Sequence, residues 1–266
     1  MGILNVTPDS FFDGGNYTDP EKIEQRIIQL IEEGADIIDI GAQSTRPGAI
    51  PVSEAEEWKR LLPALELVRD KFNHICFSLD TFRSTIAQKA VLEYGIGIIN
   101  DISAGDMDTH MFETIKKLNI PYIIMHMQGT PETMQKAPYY DDVTLDIIKY
   151  FSEKTRKLFE LGVNDIIIDP GFGFGKTLEH NYELLNNLEK FKIFDLPVLV
   201  GISRKSMIYK LLQTTPQQAL NGTTVLNTVA LLKGAQILRV HDVKEAKEAV
   251  LLTHYLKHQT NPPSSE

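Results

Sequence analysis

Short runs of branched apolar residues recur along the chain, and each ends abruptly in a polar or glycine-rich cluster. Ile3-Leu4 runs into Asn5, Ile37-Ile38-Asp39-Ile40 into residues 41–48, and Ile75-Cys76-Phe77-Ser78-Leu79 into Asp80. Ile98-Ile99 meets Asn100-Asp101, Tyr122-Ile123-Ile124-Met125 meets His126, and Ile166-Ile167-Ile168 meets Asp169. Val198-Leu199-Val200 leads into residues 201–206 and Ile237-Leu238 into residues 239–242. Hydrophobicity that is continuous rather than alternating predicts strands buried on both faces, as in a parallel sheet.

Amphipathic stretches at helical spacing separate the runs. Asp19-Pro20 opens one that carries Ile23, Ile27, Leu30 and Ile31, with Gly34 as its stop. Ser53 followed by Glu56 has the form of a capping box ahead of the stripe Trp58, Leu61, Leu62, Leu65 and Val68. Further helices are expected over 85–94, 107–118, 143–161, 179–188, 217–233 and 243–258, with a short one over 205–212. Strand and helix therefore alternate eight times with no linker, which predicts one α/β domain over 1–258 and a disordered tail over 259–266. An open, doubly wound sheet would gather its functional residues at one switch point. Here a polar terminator follows nearly every strand, so the expectation is a (β/α)8 TIM barrel with its site at one mouth. The first strand begins at Met1. Either the far end of the barrel is closed by side chains alone, or a preceding segment is missing.

Bulk properties narrow the partners. A net charge of -9 argues against a nucleic-acid footprint, which needs a basic surface. It leaves room for a local basic pocket and a small anionic ligand. Cys76 is the single cysteine, so no disulfide forms within the chain and no cysteine-based zinc site can be built. Lying inside an apolar run, it is expected in the core. No window reaches 18 apolar residues and no signal-peptide pattern opens the chain, so a cytoplasmic protein without a membrane span is expected.

The candidate chemistry sits at the strand ends. Asp80, Asn100 and Asp169 place two carboxylates and a carboxamide at the tips of buried strands. Asp80 could equally cap the helix that follows. Together they describe a floor suited to a planar heterocycle with an amino group beside a ring N–H, and Asp169 is the best candidate for accepting both donors. The loop after Asn5 contains Phe11 and Phe12 among polar and glycine residues and reads as a mobile cover. The loop after Gly41 is rich in hydroxyls and carries one arginine. Gly171-Phe172-Gly173-Phe174-Gly175-Lys176 has neither the Walker spacing nor the dinucleotide fingerprint. Its glycines are expected to let backbone approach a ligand, with Phe174 as a wall. Ser203-Arg204-Lys205-Ser206 opens a helix, whose start favours anions. Arg239 and His241 share a face if extended, and with Lys205 they would form a cationic rim above the acidic floor. Core hydrogen bonding explains His126 and Asp101 as well as function does. No Ser-His-Asp order or HExxH helix is present, so any metal would be a hard cation held mainly by oxygens, including those of the substrate.

These strings also carry a family resemblance. Met1 through Phe11 resembles the first signature of dihydropteroate synthases, and Asp39-Ile40-Gly41 through Ser44-Thr45-Arg46-Pro47-Gly48 the second. Residues 169–176, 203–206 and 239–242 are similar to later blocks, in order, up to about residue 243. Gln43 stands where a glutamate is expected and Phe12 where serine is common, and the extension that usually precedes the first signature is absent. The resemblance implies condensation of 4-aminobenzoate with 6-hydroxymethyl-7,8-dihydropterin diphosphate, giving dihydropteroate and diphosphate for folate synthesis. It also implies Mg2+, a homodimer and the site that sulfonamides target. By the same resemblance Asp80, Asn100, Asp169 and Lys205 bind the pterin, while Arg239 stacks on it and reaches the diphosphate. Asn5, as metal ligand, and His241 take the diphosphate and Mg2+, with Thr45 contributing. Phe11, Thr45, Arg46, Pro47, Phe174 and Ser206 shape the aminobenzoate site. An arylamine is nucleophilic when neutral, so no strong general base is needed. Two other readings share the barrel: a pterin-binding methyltransferase acting with a corrinoid protein, which needs no cationic rim, and a non-catalytic pterin-binding barrel.

Overall fold

The computed structural model describes residues 1–7, 19–43, 52–130, 133–134 and 137–259. Along them run β1 (Gly2–Asn5), α1 (Pro20–Glu32), β2 (Ile37–Gly41), α2 (Glu54–Lys71), β3 (Cys76–Asp80), α3 (Ser84–Tyr94) and β4 (Ile98–Asp101). There follow α4 (Met111–Leu118), β5 (Tyr122–Met125), α5 (Val143–Glu160), β6 (Ile166–Asp169) and α6 (Leu178–Asn186). The last are β7 (Leu199–Val200), α7 (Ser206–Tyr209), α8 (Leu220–Leu232), β8 (Ile237–Leu238) and α9 (Val243–Gln259).

Strands β1 to β6 pair in sequence order and β7 pairs with β8, all in parallel. Single parallel bridges, Ile168 with Val198 and Gly2 with Val240, join the two sheets at both seams. The ring is thereby closed into the expected (β/α)8 barrel. Alternation along each strand sorts its residues between two cores. Ile38, Ile40, Phe77, Leu79, Ile99 and Val200 face outward into one large cluster with the helices. Met1, Ile98, Ile123, Ile167 and Leu199, with Ile37 and Ile237 against them, fill the interior away from the mouth. Each such side chain contributes about 1.5–3 kcal/mol when fully buried.

Local chemistry explains where the helices begin. Asp19 accepts from the Glu21 N–H ahead of α1, and Ser53 accepts from the Glu56 N–H ahead of α2. The reciprocal half of the expected Ser53–Glu56 capping box is not made, because Glu56 accepts from Arg60 Nε at 2.7 Å. The helix expected over 107–118 starts only at Met111. Asp101 first winds the chain by accepting from the N–H groups of Ser103 and Gly105, both at 2.8 Å. The helices expected over 179–188 and 217–233 each break. A 3-10 turn over Leu188–Phe194 follows α6, and another over Pro216–Gln218 precedes α8. Between 205 and 212 only Ser206–Tyr209 is α-helical. Cys76 is a correction. It is exposed rather than in the core, because it opens β3 at the end of the barrel remote from the mouth, where the apolar run has not yet entered the interior. Helix α9 runs to Gln259, one residue into the expected tail, and residues 260–266 lie outside the described ones.

Candidate active site

Strand register sets the floor of the mouth. Asn5, Gly41, Asp80 and Asn100 are partners in one row across β1 to β4, and Asp169 pairs with Met125 at the ends of β6 and β5. A Cβ on Gly41 would lie 3.6 Å from both Asn5 Oδ1 and Asp80 Oδ2. On Gly201 it would lie 3.8 Å from Arg239 Cβ and 3.9 Å from Lys205 Nζ. Two glycines therefore keep a hollow open between polar side chains.

Arg239 does not stand on a rim. Its Nε donates to Asp39 Oδ2 at 2.6 Å and its Nη2 to Asp80 Oδ2 at 3.0 Å, so it lies across the floor. Burial works against its charge, but Asp39 and Asp80 more than offset this and raise its pKa. Asp80 is not a helix cap. Arg83 occupies the N-cap position of α3, and the Ser84 N–H is taken by Asp108 at 2.7 Å. Burial pushes the Asp80 carboxyl up to about 7 against the opposing pull of Arg239. Burial also raises Asp169, opposed by Lys205 and by the Gly171 N–H, which donates at 2.8 Å.

Asp39 is the functional residue that sequence reasoning passed over. It is fully buried, and its Oδ2 also accepts from Asn100 Nδ2 at 3.0 Å, while its Oδ1 has no partner. With its nitrogen committed to Asp39, the Asn100 amide keeps its oxygen as an acceptor for a guest. The signal was present: an aspartate among the three isoleucines of a doubly buried strand must be paired or neutral.

The remaining side chains come from the later loops. Lys205 Nζ donates to Phe172 O at 2.6 Å and sits 4.6 Å from the centre of the Phe174 ring. Burial lowers it to about 8, with Asp169 opposing. Ser206 opens α7 directly after it. His241 is held by Ser203: its N–H donates to Ser203 Oγ at 3.2 Å, and its Nδ1 lies 3.2 Å from the same oxygen. A hydroxyl that accepts from the backbone has its own proton for Nδ1, which leaves the ring hydrogen on Nε2. Burial, and next Arg239, lower His241 to about 3, so the imidazole is neutral at pH 7. The expected cationic rim is thus one lysine, one neutral imidazole and an arginine already matched to two carboxylates.

The glycine-rich string differs from its expectation as well. Gly171 and Gly175 have φ of +73° and +63°, and a Cβ would lie 1.9 Å from His126 O and 2.6 Å from Gln128 O. The close approach is to the segment after β5, not to a ligand. Gly173 alone faces the mouth, 3.3 Å from Lys205 Cδ. The string closes around its own lysine, which had no assigned role. Lys176 Nζ lies 3.0 Å from His126 Nδ1 and donates to Gly171 O at 2.9 Å and Phe174 O at 3.0 Å. Burial holds Lys176 at about 7 and His126 well below its usual value. His126 therefore organises a loop. Asp101 also serves structure, taking the Tyr122 hydroxyl at 2.6 Å.

Phe11, Phe12, Thr45, Arg46 and Pro47 lie outside the described residues. Gln43 lies within them and explains its departure from the expected glutamate. Its amide donates to the buried carboxylate of Glu57, which also takes the Thr81 hydroxyl at 2.7 Å and the Arg83 guanidinium. A glutamate at 43 would set one carboxylate against another. Among the described residues no cluster of three or more His, Cys, Asp or Glu side chains could hold a metal ion.

Comparison with known proteins agrees with this geometry. The family model described as "Pterin binding enzyme" matches residues 1–241. The chain is 44% identical over 252 residues to a dihydropteroate synthase of Escherichia coli strain K12, covering 94% of this chain and 88% of that one. It superimposes on the Yersinia pestis dihydropteroate synthase, solved with a sulfonamide drug, with TM-score 0.92 and 43% identity over 97% and 93% of the two chains. The Xanthomonas albilineans dihydropteroate synthase, solved with 4-aminobenzoic acid, gives TM-score 0.87 and 37% identity over 97% and 92%.

Proposed function

The chain belongs to the dihydropteroate synthase family of pterin binding enzymes, and from that premise we propose how its mouth carries out the family's reaction. The enzyme is a transferase that joins 6-hydroxymethyl-7,8-dihydropterin diphosphate to 4-aminobenzoate, giving 7,8-dihydropteroate and diphosphate for folate synthesis. Asp169 accepts the amino group and ring N–H of the pterin, Asn100 offers its amide oxygen, and Lys205 donates to the ring carbonyl. Arg239, braced by Asp39 and Asp80, flanks the ring and reaches toward the diphosphate. His241, neutral with hydrogen on Nε2, donates a hydrogen bond there rather than a charge. Phe174 and Ser206 border the aminobenzoate, and the roles in binding it that the resemblance implies for Phe11, Thr45, Arg46 and Pro47 belong to the same reading.

The bond from methylene carbon to diphosphate oxygen breaks with its electron pair leaving on diphosphate. The pterin ring delocalises the cation left behind, and the carboxylates of the floor stabilise it electrostatically. The neutral arylamine then attacks the methylene and loses one proton to solvent or to the departing diphosphate, a step that needs no strong base. Mg2+ belongs to the same proposal, with Asn5 as its protein ligand. The Asn5 amide makes no hydrogen bond among the described residues and borders the hollow beside Gly41. One neutral oxygen suits a hard cation that keeps its waters and takes phosphate oxygens for the rest. Bound there, Mg2+ would supply neutralising charge to the diphosphate.

A homodimer and a cytoplasmic location complete the reading. Leu251, Leu252, Tyr255 and Leu256 on α9 and Val225 on α8 are exposed, an apolar face fit for a second copy. No helix among the described residues is long and apolar enough to cross a membrane.

The observation that carries the proposal is the acidic, amide-lined row with Lys205 beside it. Supplied with the pterin diphosphate, Mg2+ and 4-aminobenzoate, the enzyme should release equal amounts of dihydropteroate and diphosphate. Tight pterin binding without product would reduce it to a binding barrel. Asp169→Asn should keep the fold and lose about 1.5–3 kcal/mol of pterin affinity, the usual value of a hydrogen bond to a charged group. Unchanged affinity in calorimetry would mean that the pterin does not sit on Asp169.

A further inference from the structure

Three consecutive residues after β7 face three ways. Ser203 turns to His241, with both hydrogen bonds at 3.2 Å. Lys205 turns onto the floor, with its Nζ on Phe172 O at 2.6 Å. Between them Arg204 turns away from the mouth and has φ +54°. Left-handed backbone is uncommon for a residue other than glycine and persists where the surroundings over-determine it.

They do so here. The Arg204 fork closes on Asp242, Nε to Oδ2 at 2.8 Å and Nη2 to Oδ1 at 2.7 Å. Its Nη1 donates to Pro216 O at 3.0 Å and Gln217 O at 2.6 Å, and its backbone N–H donates to Thr223 Oγ1 at 3.0 Å. One residue thus ties the turn after β7 to the turn after β8 and to the 3-10 turn ahead of α8 through its side chain, and to α8 itself through its backbone N–H. Asp242 directly follows His241 and accepts from the Ala246 N–H as α9 begins. A parallel, two-pronged guanidinium–carboxylate pair fixes direction as well as distance.

We infer that Arg204 is a positioning residue: its ion pair with Asp242 locks the loops after β7 and β8 into one unit that presents Lys205 and His241 together. The inference rests on the proposed function for what those two side chains meet. Arg204 itself points away from the substrates. It forces the backbone reversal that sends Lys205 inward, and through Asp242 it sets the height of His241 against Ser203. Without the clamp both loops keep their residues but lose their common register.

The test uses the full chain with Arg204→Lys, Asp242→Asn and the double variant. Arg204→Lys keeps the charge and loses the fork. Each single variant should lower kcat about 100-fold, the scale of a misplacement near 1 Å, at a temperature well below its own Tm. The double variant should lose no more than the worse single, since both break one device. A merely structural role would lower Tm and leave kcat within twofold, and that result, or losses that multiply, overturns the inference. A wild-type chain that makes no dihydropteroate overturns the proposed function instead. The spectrum of 15N-labelled histidine then decides the clamp without turnover. His241 should show hydrogen on Nε2 in the wild type and a mixture of tautomers in Arg204→Lys. An unchanged spectrum overturns the inference.

Discussion

Arg239→Gln should cost about 3–5 kcal/mol of folding stability at pH 8, the range for removing one partner of a buried ion pair. Two carboxylates then lose their ion-pair partner, Asp39 at full burial and Asp80 with its side chain 13% exposed. The loss should shrink on acidification. The folded Asp80 carboxyl already sits at about 7 with Arg239 present, against an ordinary 3.8, and Arg239 is the group that holds it down. Without the arginine the folded protein binds that proton more readily than the unfolded chain does. Its stabilising effect is complete below the ordinary carboxyl value and is lost as pH rises through the folded value. Urea unfolding at pH 8 and pH 6 should show the smaller deficit at pH 6. Adding Asp39→Asn should recover part of the loss, because a buried charge goes with it. Equal deficits at both pH values and no recovery would show that the arginine's role is packing alone.

Among the described glycines, Gly171→Ala is expected to be the most damaging addition of a single methyl group. Its Cβ would lie 1.9 Å from the His126 carbonyl oxygen at a backbone φ of +73°. The clash is with backbone, so no side chain can rotate away, and overpacking of this kind costs about 1–3 kcal/mol or more. Left-handed φ adds roughly 1–2 kcal/mol. Gly95→Ala is the internal control, since Gly95 has φ +74° and nothing within 4 Å of its built Cβ. It should show the conformational cost alone. Comparable midpoints for the two variants in denaturant would mean that the ends of β5 and β6 can part freely. A part of the Gly171 deficit should also appear as weaker pterin binding, because the Gly171 N–H holds Asp169 Oδ1 at 2.8 Å.

The barrel was legible because its strands are buried on both faces, so that hydrophobic runs and their terminators mark the mouth directly. What could not be read is what depends on partners far away in sequence. Arg239 meets Asp39 across 200 residues, and spacing alone made it share a rim with His241. Lys176 meets His126 across 50 residues, so neither had a visible role. Asp39 could have been found by asking what a charge does inside an isoleucine run. The late start of α4 follows from the turns that Asp101 stabilises, a local effect of side chain on backbone that periodicity does not register. Gln43 looked like a departure in isolation and makes sense only beside Glu57, which α2 brings to it.

The position of Cys76 has a practical side. It is exposed, it is the single thiol of the chain, and it lies four positions before Asp80 on β3, about 13 Å at the usual rise of a strand. Burial of part of the side chain raises its pKa, so conjugation proceeds best on the alkaline side. A maleimide dye coupled there would label each molecule once, at the closed end of the barrel and away from the mouth. Energy transfer from it to a fluorescent substrate analogue would then follow binding in the unmutated enzyme.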